Sequence, residues 1–365
     1  MHWWHVYVAA WTVATVLSAV LTYLCRDLAP RLGFVDQPLS EKHKRHNREI
    51  PVLGGMAMLL AWLMVIGGGL FVSGPCQKIM SNQLLLYLPG IQTVKPQLLS
   101  IVFGAAALVG LGLVDDRRSL GALTKFVGQF CVAGAVACWG VRITLFWSHP
   151  FITWAITTFW IMFLINAINF FDNMDGLAAG TAAIAAFMFV FAAGIRGQYF
   201  VAVLAAVTCG TASGFLFYNR PPATIFMGDA GSHLLGYLLA VIGALTTFYT
   251  PGESPTPAPV LIPLLVLGLP IFDAIAVVLM RLHNHKPIYI GDHTHISHRF
   301  TKLGLSRAQS VLVIYLLNFT LGAGAIALLW LPLAGVIIIL LQAAAILAVV
   351  SLVQCYASDT KGKQC

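Results

Sequence analysis

Charge is what this chain most lacks. Of its 365 residues, 9% are Asp, Glu, Lys or Arg, while 59% are hydrophobic and the mean hydropathy is +0.85. Soluble domains carry about 25% charged residues, so that class is excluded. Cysteine is also scarce. The seven cysteines show no metal-ligand spacing, and most lie in or beside apolar runs, where they read as small hydrophobic side chains. Met1-His2-Trp3-Trp4-His5 has no Lys or Arg ahead of the first apolar run, which argues against a cleaved secretory leader. Trp3 and Trp4 suit an interfacial anchor instead. Internal repeats are absent, as are paired halves with matching broken helices, the usual mark of a secondary transporter.

What is present is apolar length. A spanning helix needs about 20 mostly apolar residues. Eleven segments fit, near 3–25, 52–72, 98–114, 122–140, 152–166, 174–194, 198–217, 230–248, 259–280, 309–330 and 333–355. They predict an all-α, polytopic integral membrane bundle forming one domain over residues 1–365, with the termini on opposite sides. Alternate loops then share a face. All but four of the 21 Lys and Arg fall on one face, counting Lys125 at the start of the fourth span; the exceptions are Lys78, Lys95, Arg142 and Arg196. The positive-inside rule makes that face cytoplasmic and puts the N-terminus outside and the C-terminus inside.

Five polar segments interrupt the apolar chain, and all lie on the predicted cytoplasmic face. Lys42–Arg48 reads plainly as a topology signal or an anionic-lipid contact, but it feeds straight into the helix start at Ile50–Gly55. Asp115-Asp116-Arg117-Arg118 closes the third span. Its plain reading is solvated helix-end charge; its sharper one is a general base or a cation site, because adjacent carboxylates repel each other. Lys125 and Gln129, one turn apart, share a face of the fourth span. In Asn166-x-x-Asn169-x-x-Asp172-x-x-Asp175-Gly176, the spacing of three puts four polar groups on one face if the helix continues. At membrane depth such groups must be paired or hydrated. Their plain reading is helix–helix glue. Met227-Gly228-Asp229-Ala230-Gly231-Ser232 opens the eighth span, either as an ordinary cap or as backbone N–H groups aimed at phosphate.

The fifth segment, Asp292-His293-Thr294-His295-Ile296-Ser297-His298-Arg299, has histidines at spacings that zinc accepts, yet no cysteine nearby. Anion recognition by imidazole and guanidinium is favoured. Asp273, near the end of the ninth span, reads as a partner for Arg281 or His283, or as a wall of the site. Taken together, carboxylates and an amide suit Mg²⁺ shared with phosphates, while the basic groups neutralise the phosphates themselves. A membrane-surface location admits one lipid-borne and one soluble substrate. Phosphoryl transfer onto a lipid phosphate fits all three facts.

At these residues the chain resembles the polyprenyl-phosphate N-acetylhexosamine-1-phosphate transferases, from about Gly33 to Arg307. The motifs that carry the resemblance are Asp115-Asp116-Arg117, Asn166 to Leu177, Met227 to Ser232, Pro270-Ile271-Phe272-Asp273 and the histidine segment. The histidine segment is more similar to the undecaprenyl-phosphate GlcNAc-1-phosphate transferases than to the phospho-N-acetylmuramoyl-pentapeptide transferases. The resemblance implies a Mg²⁺-dependent phosphotransferase, with Mn²⁺ as a substitute, of the bacterial inner membrane. Its substrates would be undecaprenyl phosphate and UDP-GlcNAc, and its products UMP and the lipid-diphosphate sugar that starts a cell-surface glycan.

By resemblance, Asp115 and Asp116 orient or deprotonate the lipid phosphate, Asp229 binds the metal with Asn169, and His295 joins the catalytic set. Lys44, Arg45, His46 and Lys125 would hold phosphate. Asp175 would read the uracil, Asp172 would line the cleft, and His298 and Arg299 would meet the diphosphate and sugar. The resemblance leaves room for a homodimer and implies no nucleic-acid partner. Two positions depart from the family pattern: Asn173 stands at the first glycine of Asp-Gly-x-Asp-Gly, and Ser297 where an inner histidine is common. The alternatives are another UDP-amino sugar (UDP-MurNAc-pentapeptide included), a covalent aspartyl-phosphate route, a lipid-diphosphate hydrolase, a lipid-phosphate transporter and a scaffold.

Overall fold

The computed structural model describes residues 3–36, 49–73, 88–144, 149–250, 252–285 and 295–359. It is a bundle of helices. In chain order these are α1 (Trp3–Leu32), α2 (Gly54–Ser73), α3 (Leu88–Arg117), α4 (Ala122–Cys138), α5 (Pro150–Phe171), α6 (Leu177–Ile195) and α7 (Tyr199–Asn219). After them come α8 (Gly228–Leu245), α9 (Ile262–Val266), α10 (Gly268–His283), α11 (Ile296–Lys302), α12 (Arg307–Ala327) and α13 (Leu333–Asp359). Among the described residues, nine helices are long and apolar enough to cross a membrane, or ten if one bent pair is a single span. The protein is a multi-pass membrane protein.

Each predicted apolar segment coincides with a helix or helix pair, with two differences of form. The fourth, α4, has 17 residues, short for a full crossing. The ninth is broken: residues 258–266 and α10 meet at 70°. Leu267 marks the break, where N–H groups pair at short range, as in Leu267 N to Pro263 O at 3.1 Å. Backbone at membrane depth has to be satisfied within the protein in this way.

α8 is the central helix, its residues buried from Ala230 to Gly243. It packs against α2, α3 and α5. Without lipid-exclusion energy to drive association, membrane helices rely on close backbone approach at small residues. Gly112 of α3 shows this: a methyl group there would collide with the Asp229–Ala230 backbone. The last turn of α3 is thereby pressed onto the first turn of α8.

A two-stranded antiparallel ribbon, β1 (Val35–Asp36) and β2 (Ile50–Pro51), joins the two sides of the segment 37–48. The chain leaving it is bonded to the approach to α8: Phe226 N to Pro51 O at 2.8 Å, Gly54 N to Phe226 O at 3.1 Å and Gly55 N to Met227 O at 3.1 Å. Lys44, Arg45 and His46 lie outside the described residues. At the far end, Ser306 and Gln309 form a capping box that starts α12.

Candidate active site

Asp229 stands in the first turn of α8 and is the hub of the site. Its Oδ2 accepts from Lys125 Nζ of α4 at 2.8 Å, and its Oδ1 from Asn169 Nδ2 of α5 at 2.9 Å. The same amide of Asn169 reaches Ser232 Oγ at 2.9 Å. Lys125 also pairs with Asp115, whose Oδ1 accepts from Leu120 N at 2.6 Å. Three helices therefore converge on one carboxylate.

Asp116 does something the sequence reading did not foresee. Its Oδ1 accepts from Asp229 N at 2.7 Å and its Oδ2 from Ala230 N at 3.2 Å. It caps α8 from another helix, and the N–H groups expected to face phosphate are already taken by this carboxylate. Gly228 (φ 66°) makes room, since a Cβ there would strike the Asp116 carboxylate. A negative group suits a helix N-terminus, where unpaired N–H groups carry partial positive charge.

The expected single face through Asn166, Asn169, Asp172 and Asp175 breaks after Asn169. α5 ends at Phe171, Asp172 is its C-cap, and the chain turns through Gly176 (φ 76°) before α6 begins. Asp175 Oδ2 accepts from Ala223 N at 3.0 Å, so the turn is tied to the loop before α8. Asn219 braces the same turn, accepting from Gly176 N at 3.0 Å and donating to Ile225 O at 2.9 Å. Tyr315 of α12 donates to the Gly176 carbonyl. Neither brace was predicted: Tyr315 is one of several polar residues in a largely apolar helix, and Asn219 carried only the signal of ending α7.

Asp172 is partly exposed. Desolvation, then the charges of Asp229, Asp175 and Asp116, push its carboxyl up to about 7. Burial and the neighbouring carboxylates together disfavour a charge on Asp172. Among the described residues, no group of three or more His, Cys, Asp or Glu is arranged to hold a metal alone. Mg²⁺ does not require such a cage, because it takes one or two carboxylates and completes its shell with water and substrate phosphates. The carboxylate of Asp229 and the Oδ1 of Asn169, its hydrogen-bond partner, are oxygen donors of the kind that a hard cation takes.

The histidine segment reaches the site through α11. His295 Nδ1 is 2.7 Å from Asp273 Oδ2, and Asp273 Oδ1 accepts from Ile296 N at 2.8 Å. Asp273 thus binds His295 and the start of α11. A carboxylate on Nδ1 favours the tautomer with the proton there. Ser297 Oγ donates to Asn173 Oδ1, joining this segment to the aspartate turn. Arg299 is buried with its guanidinium on Met280 Sδ at 3.3 Å, and His298 is partly exposed.

The chain is similar to known proteins over most of its length. The model of glycosyl transferase family 4 matches residues 98–247, which contain Asp115, Lys125, Asn169 and Asp229. A probable undecaprenyl-phosphate N-acetylglucosaminyl 1-phosphate transferase of Bacillus subtilis is 34% identical over 92% of this chain and 89% of its own. The decaprenyl-phosphate N-acetylglucosaminephosphotransferase of Mycobacterium tuberculosis is 31% identical over 82% of this chain and 78% of its own. A phospho-N-acetylmuramoyl-pentapeptide-transferase of Geobacillus kaustophilus is 31% identical over 66% and 75%. With one relative matched over 92% of the chain and the motif residues gathered around Asp229, the chain belongs to the polyprenyl-phosphate N-acetylhexosamine-1-phosphate transferases and is a phosphotransferase.

Proposed function

We propose that this enzyme transfers GlcNAc-1-phosphate from UDP-GlcNAc to undecaprenyl phosphate at the cytoplasmic face of a bacterial inner membrane, starting a cell-surface glycan. The observation that carries the chemistry is Asp229, gripped by Lys125 and Asn169 beside the Asp115–Asp116 pair. The GlcNAc donor and the polyprenyl acceptor are supported by the names of the Bacillus and Mycobacterium relatives. The cytoplasmic orientation is supported by the Lys and Arg distribution.

A lipid-phosphate oxygen attacks the β-phosphorus of the donor. The bond from that phosphorus to the bridging oxygen breaks, and the oxygen leaves with UMP. Asp115, beside Lys125, accepts a proton from the lipid phosphate or orients it. Asp116 holds α8, and so Asp229, in place. Lys125 lies between two carboxylates, where it can turn to incoming phosphate. Asp229 and Asn169, with Asp172 beside them, would hold Mg²⁺; when bound, it neutralises charge that builds on the diphosphate. Asp175 and its turn form the floor for uridine, while His295, aimed by Asp273, meets the diphosphate and sugar with His298 and Arg299. The segment bearing Lys44, Arg45 and His46 supplies further positive charge.

The test is radiolabelled transfer with purified protein, Mg²⁺, undecaprenyl phosphate and labelled UDP-GlcNAc, beside Asp229→Asn. Chloroform-extractable label, matched by UMP and lost in the variant, supports the reading. Equal label in the variant overturns the role of Asp229. Activity only with UDP-MurNAc-pentapeptide, whose transferases are also relatives, moves the donor.

A further inference from the structure

Beneath the layer formed by Lys125, Asp229 and Asn169 lies a second polar layer built from the same three helices. Gln129 stands one turn along α4 from Lys125, His233 one turn along α8 from Asp229, and Asn166 one turn back along α5 from Asn169. Asn166 Nδ2 donates to Met162 O at 2.8 Å and to Gln129 Oε1 at 2.7 Å. Gln129 Nε2 is 3.3 Å from His233 Nε2. Gln129 and His233 are both 1% exposed.

Direction along this chain follows from its ends. The Met162 carbonyl only accepts, so Asn166 presents its amide NH₂ and Gln129 receives on oxygen. Gln129 must then donate to His233, whose Nε2 accepts and whose proton sits on Nδ1. Each hydrogen bond in the string then joins a donor to an acceptor, while His233 Nδ1 is buried with no hydrogen-bond partner among the described residues. Polar groups buried at this depth are costly unless so paired, and a paired network fixes one arrangement of the helices that carry it.

We propose that Gln129 and His233 are positioning residues for the transfer reaction. By tying α8 to α4 and, through Asn166, to α5, they hold the three helices in the register that lets Lys125 and Asn169 meet Asp229 together. They touch no reacting atom. The inference rests on the phosphotransferase reading of the upper layer. It goes beyond that reading by assigning a role to His233, which lies outside every motif that carried the resemblance.

The test compares His233→Leu, His233→Gln and Gln129→Leu with the parent protein in detergent. Three quantities are read: transfer kinetics, melting temperature in EDTA, and the Mg²⁺ concentration that half-saturates thermal stabilisation. Loss of a residue that orients metal ligands costs about 10–100-fold in activity or metal affinity. His233→Leu and Gln129→Leu should therefore lower kcat about tenfold or more and raise the Mg²⁺ midpoint, with KM for UDP-GlcNAc nearly unchanged. His233→Gln keeps an acceptor for the Gln129 amide and should recover most of kcat.

A lower melting temperature in His233→Leu with kcat and Mg²⁺ midpoint unchanged would reduce the layer to mere glue and overturn the proposal. So would equal defects in His233→Leu and His233→Gln. Parent protein that transfers no sugar phosphate overturns the functional reading instead, and the Mg²⁺ midpoints then still decide the positioning claim. Parent protein with neither transfer nor Mg²⁺ stabilisation overturns both.

Discussion

Ser297 donates a hydrogen bond to Asn173, so the two positions that the resemblance marks as unusual touch each other. One lies on the aspartate turn after α5 and the other in the first turn of α11. Glycine at 173 would have no side chain to receive Ser297, so the contact needs both residues. Ser297→Ala and Asn173→Ala should each lower kcat/KM for the sugar nucleotide, and the double variant should fall little further than either. A coupling of about 1 kcal/mol, or several-fold in kcat/KM, is the expected size. Strictly additive losses would mean that the contact does not link the two segments in solution.

Asp116→Ala should destabilise the enzyme by about 1–2 kcal/mol, because it strips the cap from the Asp229 and Ala230 N–H groups. Asp116→Asn keeps one acceptor oxygen and should lose less. Thermal unfolding in detergent checks the order, parent above Asn above Ala. Transfer should fall along the same order, since the cap also sets where Asp229 stands.

The raised Asp172 carboxyl gives a pH signature in metal-free protein. Its folded value, about 7, lies above its ordinary value of 3.8. The folded state therefore holds the proton more tightly, and stability falls as pH rises between those values. Asp172→Asn removes this loss. It should raise the melting temperature in EDTA at both pH 5 and pH 8, by at least about twice as much at pH 8. Equal gains at both pH values would show that the carboxyl titrates normally.

Tyr315→Phe removes only the hydroxyl that holds the Gly176 carbonyl. A lost neutral hydrogen bond costs about 1 kcal/mol. The expected phenotype is a small drop in melting temperature with a several-fold rise in KM for UDP-GlcNAc, since the turn carries Asp175. Unchanged KM would place the uridine elsewhere.

Asp273→Asn should imitate His295→Gln. An amide can offer nitrogen to His295 and destroy the orientation that a carboxylate enforces. Both variants are expected to lose about 10–100-fold in kcat, and the pair combined no more than the worse single variant.

Much of this was readable along the chain. Apolar length located the helices, and the spacing Lys125–Gln129 placed both groups correctly on one face of α4. Local pattern failed where a partner came from far away. Nothing around Asp116 signals that its oxygens are taken by N–H groups at Asp229 and Ala230, because the pairing depends on Gly112 letting two helices touch. The repeat of three through Asp175 looked helical because spacing carries no information about Asp172 ending α5. His233 could have been found by stepping one turn on from Asp229, a step that the motif boundary at Ser232 discouraged.

The backbone contact between α3 and α8 at Gly112 bears on how much order remains to be imposed when substrate arrives. Long side chains between two helices would leave rotamers to freeze at binding, each costing about 0.5–1.5 kcal/mol. Where backbone meets backbone, that freedom has already gone during folding. The conformational entropy of assembling Asp115, Asp116 and Asp229 is thus charged to the membrane fold and not to the encounter with substrate, leaving more of the binding energy to act on the phosphorus centre.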